Sequence, residues 1–152
     1  MDNFYTILFF LISTWIGPFW VLMLAKPFDE ITQKLCQGFL IVLGPIIAYF
    51  LVLILNPNIL LEIFDPDPTK ILDALGSALG SPAGAVLTWA HIVAGDILVT
   101  RWLWKKAVEQ NLSVNRLRAM VLFGVMLMPV AIILAMIFLN DSKNKEDEKI
   151  AN

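Results

Sequence analysis

One stretch of fourteen residues, Trp89-Ala90-His91-Ile92-Val93-Ala94-Gly95-Asp96-Ile97-Leu98-Val99-Thr100-Arg101-Trp102, puts a carboxylic acid, an imidazole and a guanidinium into apolar surroundings. The acid and the imidazole can take up and return protons, and the guanidinium stays charged. They suffice for proton-transfer or isomerisation chemistry on an apolar substrate, with Asp96, His91 and Arg101 as the candidate catalytic residues. They supply no redox chemistry without a borrowed cofactor. Other chemistries lack their residues: there is no Gly-x-Ser-x-Gly, no phosphate-binding loop and no metal-binding pair of histidines. A single cysteine, Cys36, excludes an internal disulfide and a cysteine-based metal cluster. A single histidine, His91, excludes a bis-histidine haem.

At about 100° per residue, His91, Asp96 and Arg101 each lie roughly 140° from the next, so they do not share a helix face. A helix with polar groups on three sides is expected to be central among its neighbours. Asp96 and Arg101 are five residues apart, a poor spacing for an intrahelical ion pair. Asp96 then needs a partner on another helix, from among Thr6, Ser13, Thr14, Gln37 and Tyr49, or stays protonated; Thr100 is on its own face. Each residue also has a plainer reading. Arg101 can be an interfacial anchor whose head reaches for water, and His91 a hydrogen-bonding residue between helices or a ligand to a chlorophyll magnesium. Trp89 is a candidate pocket-lining residue. Trp102 and Trp20 are candidates for ligand contact as well as for belt or packing roles, which Trp15 and Trp104 share, and the methionines read as ordinary packing.

The rest of the chain must position these groups, and its composition is not that of a water-soluble domain. Of 152 residues, 59% are apolar and 16% charged, where soluble domains carry about a quarter charged. Mean hydropathy is +0.76. A net charge of −2 offers no cationic surface for nucleic acid. A hydrocarbon core of about 30 Å needs about 20 apolar residues in a helix. Four stretches qualify, about 4–25, 35–55, 83–104 and 119–139; the run 59–64 is too short and is interrupted by Glu62. An acid or base at mid-bilayer costs about 2.5–3.5 kcal/mol, so Asp96 within the third stretch asks for a reason. The expected fold is all-α: an integral membrane four-helix bundle over residues 1–139, surrounded by membrane lipids, with a charged, flexible tail at 140–152.

Basic residues orient the spans. Lys26, Lys34, Arg101, Lys105, Lys106, Arg116 and Arg118 fall on one side, against Lys70, Lys143, Lys145 and Lys149 on the other. Seven against four places both termini on the lumenal or periplasmic side. Between the second and third spans, Asp65-Pro66-Asp67-Pro68 reads as a rigid turn, with Asp67 as cap and Pro68 as first helical residue. Ile71, Leu72, Leu75 and Leu79 then recur at helical spacing, which predicts a short amphipathic helix lying in the interface and ended by Gly80-Ser81-Pro82. Gly17-Pro18, Gly44-Pro45 and Pro129 fall within spans, where proline tends to kink a helix. The first span lacks the basic start of a secretory signal, and no Arg- and Ser-rich transit segment precedes it.

Trp89-Ala90-His91 followed by Gly95-Asp96 and Arg101-Trp102 resembles the Trp-x-His…Asp…Arg-Trp pattern of the abscisic-acid-deficient-four-like family, small four-helix proteins of plants, algae and cyanobacteria. Pro18-Phe19-Trp20 with Leu22-Met23 and Pro27 is similar to that family's first-span motif, and Ser81-Pro82 and Pro129 also fit. The resemblance covers roughly residues 3–139. One position departs from it: where the pattern has an acid about four residues after Arg-Trp, this chain has Lys106, preceded by Lys105. The resemblance implies a photosynthetic membrane, a thylakoid of cyanobacterial or plastid type, and a link to xanthophylls, in plants the conversion of violaxanthin to neoxanthin. Two functions stay open. In one, the protein binds or isomerises a carotenoid, with Trp89 and Trp102 stacked on the polyene and Asp96 and His91 handling a proton. In the other it is a non-catalytic subunit or assembly factor of a photosynthetic membrane complex, with His91 on a chlorophyll or fixing helix packing. Transport is a weaker third reading, since four helices with one acid need an oligomer to form a pathway.

Overall fold

The computed structural model describes residues 2–59 and 68–151, and no strand occurs among them. The helices are α1 (Asp2–Trp15), α2 (Gly17–Ala25), α3 (Glu30–Gln37), α4 (Leu40–Leu55), α5 (Ile71–Gly80), α6 (Pro82–Glu109), α7 (Val114–Met126) and α8 (Met128–Ala151), with a 3₁₀ turn at Pro68–Lys70. The segments Asn3–Ala25, Glu30–Leu55 and Pro82–Glu109 are long and apolar enough to cross a membrane by length and composition. The fourth expected stretch, 119–139, is divided at Leu127, leaving Met128–Asp141 as a shorter apolar helix.

Proline explains where the helices are interrupted. Pro129 has no N–H to give to the carbonyl of Val125, and its ring crowds that carbonyl. The backbone leaves the helix two residues earlier, at Leu127 (φ −150°, ψ 71°), whose N–H still reaches Phe123 O at 2.7 Å. Pro18 acts likewise at the α1–α2 boundary, where it occupies the first turn of α2. Between α3 and α4 the break falls at Gly38, in extended conformation (φ −68°, ψ 168°). Pro45 stays inside α4. The connecting helix is present as expected, but it starts differently: Lys70, whose side chain does not cap the helix, precedes α5. Asp65-Pro66-Asp67 and residues 60–64, with Glu62, lie outside the described residues. The helix after Leu127 runs on to Ala151, through the charged tail for which the sequence showed no periodicity.

The chain divides into two compact units. The first is Met1–Trp15 with Val42–Ala94, and thus contains α1, most of α4, α5 and residues 82–94 of α6. Tyr5 and Asn56 join the start of α1 to the end of α4, with Asn56 Nδ2 donating to the Tyr5 hydroxyl at 2.9 Å. Trp15 covers Gly44 farther along the same pair. The α5–α6 corner is drawn tight by Ser81, whose Oγ donates to Ala78 O (2.8 Å) and accepts the Gly84 N–H (3.0 Å). Pro82 at the first helical position and Ser81 before it make a regular N-terminus for α6. Gly84 is needed there, since a Cβ would fall 1.8 Å from Ala78 O.

The second unit is Ile16–Ile41 with Gly95–Asn152. Asp29 caps α3 by accepting the Ile31 N–H at 3.1 Å. Trp20 Nε1 donates to Val121 O at 3.4 Å, joining α2 to α7. Thr100 on α6 packs on Gly124 of α7. Arg116 pairs with Asp141 at 2.7 Å and lies over the Phe138 ring, holding α7 to α8. α6 closes through Asn111 in the left-handed region (φ 49°), with Leu112 N–H reaching back to Ala107 O at 3.0 Å. Of the three long apolar segments, Pro82–Glu109 is the most buried, 44% of its apolar window against 22% and 28%. That agrees with a helix polar on three sides needing protein around it.

Candidate functional site

In the first unit, α4 and α6 leave a cleft lined by Pro45, Ile46, Tyr49, Phe50, Ala90, His91 and Ala94, about 300 Å³ in volume. Its shape follows from the sequence. Ala90 and Ala94 are one turn apart on α6, so that helix presents two methyl groups where larger side chains would fill the space. On α4, Pro45 and Tyr49 share the same four-residue step, with Ile46 and Phe50 beside them. Ala90 is fully buried at the floor, while His91 and Phe50 are exposed at the mouth. The only groups on this lining with side-chain hydrogen-bonding capacity are the Tyr49 phenol and the His91 imidazole. Their rings stand 6.0 Å apart, inclined at 48°. A neutral imidazole offers one acceptor and one donor nitrogen, and a phenol both donates and accepts. The pair can therefore grip or exchange a proton with an oxygen on a ligand that is otherwise apolar. Ligand pockets usually measure about 300–1,000 Å³, so this one takes a ring or one end of a long molecule rather than its whole length.

Trp89 belongs to the same unit but does not line the cleft. Its Nε1 donates to Ser13 Oγ at 2.9 Å, and its ring lies 5.2 Å from that of Phe9 at 30°. Ser13 uses its own proton on Phe9 O at 2.8 Å, which leaves its oxygen free to accept the indole N–H. Trp89 thus fastens α6 to α1, one residue before His91.

The other residues singled out by type fall in the second unit. Asp96 is half-buried, and among the described residues it has no hydrogen-bond or ion-pair partner. The groups expected to serve it are used elsewhere: Ser13 by Trp89, Thr14 by Phe10 O at 2.8 Å, and Tyr49 beside His91. Thr6 is engaged too. Thr100, one turn from Asp96, is buried, and among the described residues its Oγ1 has no hydrogen-bond partner. Arg101 donates to the carbonyl of Gln37, the last residue of α3, so the guanidinium serves a helix C-terminus whose carbonyls carry partial negative charge. Trp102 is 54% exposed, and Trp20 is held by its bond to Val121. The structure therefore brings His91 together with Tyr49, and Trp89 with Ser13 and Phe9. Trp89 belongs to the first unit, Trp102 and Trp20 to the second.

Among the described residues no group of three or more His, Cys, Asp and Glu could hold a metal ion. Sequence reasoning missed Ile46 and Phe50 in the cleft, and also Pro45, Ala90 and Ala94. Their signal was present in Gly44-Pro45 and in two alanines at a four-residue step flanking the one histidine.

A family model described as ABA4-like, ABA DEFICIENT 4-like, matches residues 7–134. No curated protein and no solved structure matches the chain. The matched residues include both walls of the Tyr49–His91 cleft as well as Asp96 and Arg101. The chain belongs to the ABA DEFICIENT 4-like family and is a neoxanthin-synthesis-related protein.

Proposed function

We propose that this is an integral membrane protein of four spans that binds a xanthophyll by one ring end in the Tyr49–His91 cleft and serves its isomerisation. The membrane reading rests on the surface. Large apolar side chains are exposed along several helices, among them Phe10 (61%), Ile54 (75%) and Met136 (65%). Water would penalise such surface at roughly 25 cal/mol per Å², whereas lipid tails do not. α7 and α8 together form the fourth crossing. The membrane is a thylakoid-type photosynthetic one, with both termini lumenal and the basic loops opposite.

The observation that carries the functional reading is the cleft: one phenol and one imidazole facing each other among Pro45, Ile46, Phe50, Ala90 and Ala94. A xanthophyll is an apolar polyene with oxygen on its terminal rings, and this lining offers the matching polar pair at one end of an apolar slot. An isomerisation takes a proton from one atom and returns one to another, with no net oxidation, so phenol and imidazole suffice without a redox partner. Asp96 is a further proton-handling group in this reading, since among the described residues this acid has no partner to account for it.

The test begins with the tagged protein extracted from its native membrane in mild detergent, followed by an absorption spectrum and pigment chromatography. Carotenoid in fixed ratio to the protein is expected, reduced at least about tenfold in Tyr49→Phe with His91→Phe, which together remove both polar groups and would cost about 1.4 kcal/mol or more. Chlorophyll and large complex subunits in place of carotenoid would overturn this reading in favour of an accessory subunit with His91 as a magnesium ligand.

A further inference from the structure

The second unit holds a separate groove, about 480 Å³, between α2 and α7. Val21, Leu24, Ala119 and Leu122 form its apolar walls, and Arg118 stands at one end. The Arg118 side chain lies across the C-terminus of α2, with Nε on Leu24 O at 2.7 Å and one terminal nitrogen 3.5 Å from Ala25 O. Guanidinium has five N–H donors, so several stay available on its exposed side. Lys26 follows directly as the C-cap of α2.

The charges around this groove are unbalanced. Lys34 pairs with Glu30, Lys105 and Lys106 with Glu109, and Arg116 with Asp141. Arg101 is taken up by the Gln37 carbonyl. Among the described residues, Lys26 and Arg118 have no carboxylate partner; Arg118 lines the groove, and Lys26 directly follows the lining residue Ala25. Local acids neutralise the neighbouring basic side chains but leave this pair open to an anion from outside the chain.

We propose that the α2–α7 groove holds one anionic phospholipid, its phosphate on Arg118 and Lys26 and the start of one acyl chain on Val21, Leu24, Ala119 and Leu122. Arginine suits this task because its planar fork can meet two phosphate oxygens at once. The apolar floor separates a lipid from a free anion. Val21 to Ala25 spans four residues, or about 6 Å of helix, which is enough to seat the first few methylenes beneath a headgroup. The groove lies at the end of the spans that carries the basic loops, where headgroups are found in the membrane placement proposed above; the lipid site rests on that placement.

The test uses the full-length protein, delipidated in detergent and then offered phosphatidylglycerol or phosphatidylcholine with identical acyl chains, with retention read by native mass spectrometry. One phosphatidylglycerol per chain is expected, held at least about fivefold more strongly than phosphatidylcholine, as a basic residue near an anionic headgroup contributes about that factor. Lys26→Gln should lose the preference. Among the described residues Lys26 makes no ion pair, so this variant spares the fold. Ala119→Phe fills the groove without changing charge and should lower retention of both lipids. Equal retention of the two lipids, or a preference unchanged by both substitutions, overturns the proposal. Displacement of the lipid by millimolar inorganic phosphate overturns it as well, and marks a free-anion site. Carbonate extraction of native membranes is run in parallel: release of the protein from the membrane would sink the membrane placement, a result distinct from loss of lipid preference in a protein that stays embedded.

Discussion

Gly44 lies against the Trp15 indole so closely that a Cβ at residue 44 would stand 2.4 Å from Trp15 Cδ2 and 2.7 Å from Cγ. Replacing a mid-helix glycine by alanine ordinarily stabilises by about 1 kcal/mol. Here the ring must move as a whole, because the clash reaches its root atom, and overpacking of this kind costs about 1–3 kcal/mol. Gly44→Ala is therefore expected to lower the thermal midpoint in detergent. A rise in the midpoint would mean that Trp15 has room to swing away.

A second prediction concerns the fastening behind His91. Trp89→Phe removes the indole N–H and its 2.9 Å bond to Ser13, while Ser13→Ala leaves that N–H without its acceptor. Each should cost about 1 kcal/mol, and a double-mutant cycle should give a coupling of about 0.5–1.5 kcal/mol. Additive effects would show that the bond contributes nothing.

In the second unit, Gly124→Ala would place a Cβ 2.5 Å from Thr100 Oγ1 and 3.1 Å from its Cβ. A loss of about 1–3 kcal/mol is expected. Thr100→Ala removes the opposing atoms, so Gly124→Ala with Thr100→Ala should recover most of that loss. Because the Thr100 hydroxyl has no partner among the described residues, Thr100→Ala alone should be close to neutral or stabilising. Urea or thermal titration of the four proteins decides.

Asp96→Asn separates chemistry from folding. No described group pairs with the carboxylate, so the substitution should change stability by no more than about 0.5 kcal/mol and leave the protein at its normal abundance. If Asp96 handles a proton, the xanthophyll composition of the host membrane should shift toward that of a strain lacking the protein. An unchanged pigment profile at normal abundance removes Asp96 from the chemistry.

Much of the fold was legible because helical periodicity and apolar length are properties of consecutive residues. α6 is the clearest case: it begins one residue before its expected range and ends five residues after it. The breaks at Gly38 and Leu127 were less legible. A proline or glycine in a long apolar stretch can be absorbed, as Pro45 is, or can end the helix, as happens before Pro129, and neighbours outside the sequence window decide which. The site was half legible. His91 stood out by type, but Tyr49 is 42 residues away and could be named only as one of several hydroxyl groups within reach of an acid. Its pairing with His91 depends on how α4 and α6 meet. Gln37 was considered for its side chain and instead contributes its backbone carbonyl, which residue type does not reveal.

The division at Leu127 leaves α8 with an apolar segment of only fourteen residues, Met128–Asp141, whose last two are Asn140 and Asp141. At 1.5 Å per residue that is about 21 Å, short of a hydrocarbon core of about 30 Å. In the membrane placement proposed above, the bilayer must either thin beside α8 or draw the start of the crossing from α7 across the break. The protein then has a preferred membrane thickness, and its stability in defined bilayers should peak with shorter acyl chains than those that suit an unbroken span such as α6.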